Sequence, residues 1–134
     1  MGDSSASSGW SATIARVTPA IVSLRVSQVR SFEGSPASYS YATGFVVDAE
    51  RGILLTNRHV VTAGPVRAEA VFANHEEVSV SALYRDPIHD FAFLRFDVDA
   101  VRYLRVQAIP LAPAAARVGL DVRVVGNDAG EKVR

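Results

Sequence analysis

No cysteine occurs in the 134 residues, so disulfides, Cys-based metal sites and a thiol nucleophile are all excluded. The absence also favours an intracellular compartment. Net charge is missing too: 14 basic residues balance 14 acidic ones. That removes the electrostatic case for nucleic acid or an anionic membrane surface as partner. No apolar run approaches the roughly 18 residues of a membrane span. The N-terminus Met1–Ala6 has no basic stretch followed by an apolar one, so no secretory signal is visible. It also lacks the myristoylation pattern, since Ala6 stands where Ser or Thr is needed. Zinc-protease spacing such as HExxH is absent, and no metal or other cofactor is expected. No repeat of solenoid length is present.

What remains is ordinary globular composition, 49% hydrophobic. The length suits one domain with a real core. A double-barrel all-β enzyme needs more, about 200–250 residues.

Residues 1–9 are small and polar and are expected to be disordered. Trp10, Ile14 and Val17 recur at helical spacing until Pro19, which predicts a short helix over Ser11–Thr18 capping a barrel end. Period-two alternation follows. Val22, Leu24 and Val26 mark the first strand, with a loop at Ser31–Tyr39. Tyr41–Asp48 and Ile53–Asn57 are strands joined by the hairpin Ala49–Gly52. Gly64-Pro65 marks a turn before a strand over Arg67–Phe72, and Asn74–Glu77 is a polar turn. A fifth strand starts at Val78 and runs through Tyr84, and Phe91–Phe96 is a sixth. The sixth is apolar on both faces apart from Arg95, which suits one face in a barrel interior and the other beneath a second domain. Six short strands at regular spacing predict an all-β fold, a barrel or sandwich. Val118–Asn127 reads as one more strand with no partner left in the chain.

Chemistry concentrates in two places. Thr56-Asn57-Arg58-His59 ends a strand in a turn carrying a histidine. Asp90 leads a strand thirty-one residues later. A general base needs an acceptor on its second ring nitrogen, to fix the tautomer and stabilise the imidazolium, and Asp90 can supply it. Asp86 is the rival carboxylate, but its place before Pro87 suits a turn cap. His75 and His89 read as surface histidines. Taken singly, His59 could equally be a strand-end histidine with local hydrogen bonds.

The segments Ala42-Thr43-Gly44-Phe45-Val46-Val47, Leu55-Thr56-Asn57-Arg58-His59-Val60-Val61 and Asp90-Phe91-Ala92-Phe93-Leu94 resemble the first barrel of HtrA/Deg serine proteases, in the chymotrypsin-like clan. Val17–Leu24 is similar to their entry strand. Tyr84–Phe91 and Val125–Val133 are closer to one branch, the long tandem-type Deg proteases of fungi and plants. The resemblance covers nearly the whole chain from about Trp10.

It implies a trypsin-like six-stranded first β-barrel over residues 10–97, a connector over 98–117 and the opening strand of an incomplete second barrel over 118–134. It implies His59 as general base and Asp90 as orienting acid in peptide-bond hydrolysis of peptides or unfolded proteins, in protein quality control. The family's serine nucleophile sits in a Gly-rich turn of the second barrel. Gly126–Gly130 holds no serine, Ser35 and Ser38 fall in a loop, and Ser79 alternates on a strand. The chain is therefore expected to be the N-terminal portion of a serine endopeptidase, inactive alone. The alternatives are a non-catalytic protease-like module that binds peptides or pairs with full-length subunits, and an unrelated small β-barrel. The branch implies a soluble protein of nucleus or chloroplast, and the family implies possible homo-oligomers.

Overall fold

The computed structural model describes residues 3–28, 38–57, 66–128 and 132–133. His59, the turn at Gly64-Pro65 and Ser35 lie outside the described residues.

Six strands follow a first helix, α1 (Asp3–Val17), and a 3-10 turn at Thr18–Ala20. They are β1 (Ile21–Gln28), β2 (Ser38–Asp48), β3 (Ile53–Thr56), β4 (Val66–Val71), β5 (Glu77–Arg85) and β6 (Ala92–Phe96). They close a barrel in the order β1-β2-β3-β6-β5-β4, with β4 returning to β1, and every pairing is antiparallel. Of the barrel and the sandwich that the alternation allowed, the barrel is the architecture found, as the resemblance implied. Closure leaves no unpaired edge among the six strands, which removes the hazard of an exposed ladder.

The pleat sends alternate residues inward. Leu24, Leu54 and Leu94 are fully buried at the centre, with Val22, Val26, Val46, Ala70, Val78, Ala92 and Phe96 around them. Phe72 meets Phe96 edge-on, with centroids 5.5 Å apart. Small residues make room for large ones. Gly44 faces Val22 across the β1–β2 ladder, and a Cβ there would lie 3.1 Å from the Leu24 side chain.

The β2–β3 turn is built by Asp48. Its carboxylate accepts the N–H groups of Glu50 and Arg51 at 3.1 and 2.9 Å, and its carbonyl accepts that of Gly52 at 3.0 Å. Gly52 takes φ +71°, open to glycine at little cost. Beyond β6, Glu76 ties the connector down. Its carboxylate accepts the N–H groups of Arg102, Tyr103 and Leu104 at 2.7, 3.0 and 2.7 Å. Ile109 then donates to the Val46 carbonyl at 2.8 Å, and Val101, Leu104, Val106 and Ile109 pack on the core.

Three expectations are corrected. The helix begins at Asp3, so Asp3–Gly9 is helical where a disordered tail was expected. An acidic residue in the first turn, Asp3, and the alanine at position 6 favour that extension. Nor does the helix cap a barrel end: Trp10, Thr13 and Val17 line a hollow with outward-facing Thr43 and Phe45 on the barrel's flank. Finally, Val118–Asn127 is not a strand. Only Asn127–Asp128 pairs, with Lys132–Val133. Alternation was present, but a strand exists only through a partner. Val118, Val122 and Val124 are accordingly exposed at 103, 76 and 89%.

Candidate active site

The register of β3 on β6 makes the site. Thr56 is the last residue of β3 and pairs with Ala92, the first of β6. The chain leaving β3 and the chain entering β6 therefore emerge side by side at one end of the barrel. Asn57 and Asp90 sit next to each other there, although far apart in sequence. The Asn57 side-chain amide donates to the Asp90 main-chain carbonyl at 3.2 Å. Beneath them, the buried Thr56 hydroxyl donates to the Thr43 carbonyl at 2.9 Å, fixing the end of β3 to β2.

Asp90 as a residue is exposed. Asp86 differs. One carboxylate oxygen accepts the N–H groups of Ile88 and His89 at 2.9 and 2.6 Å and lies 3.3 Å from His89 Nδ1. The other accepts the Tyr84 hydroxyl at 3.4 Å. The His89 N–H first, then that of Ile88, hold the Asp86 carboxyl below its usual range against the opposing effect of burial. Asp86 is thus committed to shaping the loop, as its Asp-Pro position predicts. Asp86 also donates its own N–H to the Phe91 carbonyl at 3.1 Å, closing the loop that presents Asp90.

Of the sequence-predicted residues, Asp90 is at the barrel mouth, and His59 lies outside the described residues, two positions beyond Asn57. His89 is exposed and stacks on Phe91 with centroids 6.4 Å apart. His75 is exposed in the β4–β5 turn with φ +70°. The bond made by Asn57 had no separate signal in the sequence beyond its place in the Thr-Asn-Arg-His turn.

Beside Asp90 is an open hollow of about 590 Å³ lined by Thr43, Phe45, Leu55, Thr56, Asn57, Asp90, Phe91, Phe93 and Val125. Its walls are largely the outward residues of β2, β3 and β6. Phe91 and Phe93 meet edge-on at 5.8 Å, and Tyr84 lies 6.2 and 6.4 Å from their centroids. An apolar basin with a carboxylate and an amide at its rim suits a polar reacting group held over an apolar floor. None of its described lining residues is a serine. Among the described residues, no three His, Cys, Asp or Glu side chains group as a metal site.

The trypsin-like peptidase domain matches this chain over residues 42–134. The chain belongs to that family. It is 57% identical over 124 residues to Protease Do-like 7 of Arabidopsis thaliana, covering 92% of this chain and 11% of that protein. It is 56% identical over 131 residues to the pro-apoptotic serine protease NMA111 of Eremothecium gossypii, covering 98% of this chain and 13% of that one. These plant and fungal relatives agree with the HtrA/Deg branch named from the motifs. The chain spans about an eighth of the length of these curated relatives. Among solved structures, the HtrA-type protease AlgW with decapeptide superposes with a TM-score of 0.56 at 20% identity. That likeness covers 72% of this chain and 34% of that one, and it concerns the fold.

Proposed function

We propose that the chain contributes the base and the orienting acid of a serine endopeptidase, His59 and Asp90, and that the serine they activate lies outside it. The observation that carries this is the β3–β6 register, which brings the end of β3, three residues before His59, beside the loop that carries Asp90. The trypsin-like family supports the reaction class.

In the complete site, His59 takes the proton of the serine hydroxyl as the oxygen attacks the peptide carbonyl. It then returns that proton to the leaving amine, and water hydrolyses the acyl-enzyme by the same exchange. Asp90 accepts a hydrogen bond from the second ring nitrogen, selecting the tautomer and stabilising the imidazolium. The substrates are peptides or unfolded proteins, and the hollow beside Asp90 offers apolar contact. AlgW, a protein of similar fold, is described with a decapeptide. The branch resemblance points to a nuclear or plastid compartment and to homo-oligomeric assembly. Among the described residues no helix is long and apolar enough to cross a membrane.

Fluorophosphonate labelling tests the division of the triad. The purified 134-residue chain is expected to stay unlabelled; stoichiometric labelling would overturn the placement of the nucleophile outside it. In a longer polypeptide that supplies the serine, Asp90→Asn is expected to lower kcat by about 10⁴ with KM little changed, as loss of the orienting acid does in a triad. An unchanged kcat would remove Asp90 from the mechanism.

A further inference from the structure

We propose that Asn57 is a positioning residue: its side-chain amide, bonded to the Asp90 main-chain carbonyl, locks the end of β3 to the loop that carries the acid. This rests on the reading of His59 and Asp90 as a base–acid pair.

The ladder between β3 and β6 stops at Thr56–Ala92. Asn57 is the next residue, and its side chain supplies one more cross-link where the backbone no longer does. The acceptor is a carbonyl, so the amide must present its NH₂ side and the orientation is fixed by chemistry. The acid-bearing loop is then held at both ends. Asp86 clamps its start through the Ile88 and His89 N–H groups, and Asn57 clamps its finish.

Asn57 and Asp90 are both exposed, so this bond adds little to the buried core. Its consequence is local. His59 follows Asn57 by two residues in sequence, so the bond ties the described residue that leads to the base directly to the residue that bears the acid. A misplacement near 1 Å in such a constellation costs about 10²-fold in rate.

The test is proton NMR of the full chain with ¹⁵N-labelled histidine, read at the low-field ring N–H that a carboxylate-bound imidazole gives. Wild type is expected to show that resonance for His59. Asn57→Ala is expected to broaden it by faster exchange with water. Asn57→Asp keeps the shape but sets an acceptor against the Asp90 carbonyl, and is expected to abolish it. The melting temperature should change by no more than a few degrees in the Ala variant. A sharp, unshifted resonance in both variants would overturn the positioning role, as would a loss of signal that only tracks global unfolding. Asp90→Asn separates the two claims. If it removes the resonance while the Asn57 variants do not, only the positioning role fails. If it leaves the resonance untouched, the base–acid pair fails and the role of Asn57 fails with it.

Discussion

Replacing Gly52 by alanine attacks the turn that seats β3 on β6, at the end opposite the candidate site. Gly52 has φ +71°, a conformation that costs an L-residue about 1–2 kcal/mol. A Cβ at this position would lie 2.3 Å from the Phe96 carbonyl oxygen and 3.0 Å from Val98 Cγ2. The obstructing oxygen belongs to backbone, and the same residue donates its N–H to the Gly52 carbonyl at 2.9 Å. Relief of the clash must therefore stretch that bond, worth a further ~0.5–1.5 kcal/mol. Alanine also stiffens the unfolded chain, which returns about 0.4–1 kcal/mol. The expected net loss is about 2 kcal/mol, a large share of the roughly 5–15 kcal/mol that holds a domain together. Gly119→Ala is the control. Its φ is +87°, but nothing lies within 4 Å of the added carbon, so only the backbone cost less the unfolded-state gain remains, about 1 kcal/mol. Urea unfolding followed by tryptophan fluorescence and far-UV circular dichroism reads both. With a slope of about 1–3 kcal/mol per M, the Gly52→Ala midpoint should fall by about 0.7–2 M. Equal losses in the two variants, or a Gly52→Ala protein within about 0.5 kcal/mol of wild type, would refute the close approach of the two backbones.

Two further outcomes follow from the barrel and its strap. Leu54 is fully buried at the centre of β3, so Leu54→Ala should cost about 2–5 kcal/mol in the same urea assay. Burial alone would raise the Glu76 carboxyl, but the Asn74 side chain and the N–H groups of Arg102, Leu104 and Tyr103 outweigh it and hold the group below its usual range. A depressed carboxylate contributes stability above its unfolded pKa and loses it as pH falls through the folded value. The stability gap between wild type and Glu76→Gln should therefore be open at neutral pH and close on acidification. A gap that stays constant down the acid limb would contradict the role of the charge.

Much of the barrel was legible because its cause is local. Val22, Leu24 and Val26 alternate with polar neighbours, and a half-buried strand needs no more than that. Asp86 could be told from Asp90 because Asp-Pro chemistry is a property of four consecutive residues. Val118–Asn127 had the same alternation as β1 and did not become a strand, since pairing is a long-range property and no described strand lies beside it. The helix start was missed for a related reason. Serine and alanine carry no periodic signal, so the continuation through Asp3–Gly9 was invisible to spacing. The Asn57–Asp90 bond spans 33 residues, and only the register of β3 on β6 brings its ends together. His59 carried its signal in its place at a strand end, in the Thr56–His59 turn, and in the motif resemblance.

The distance between the His59 ring and the Asp90 carboxylate, from a crystal structure of the chain, decides whether the two form a base–acid pair. A base held by its orienting acid places a ring nitrogen about 2.6–3.2 Å from a carboxylate oxygen. A ring held beyond about 6 Å, outside the range in which the carboxylate stabilises an imidazolium strongly, would contradict the pairing.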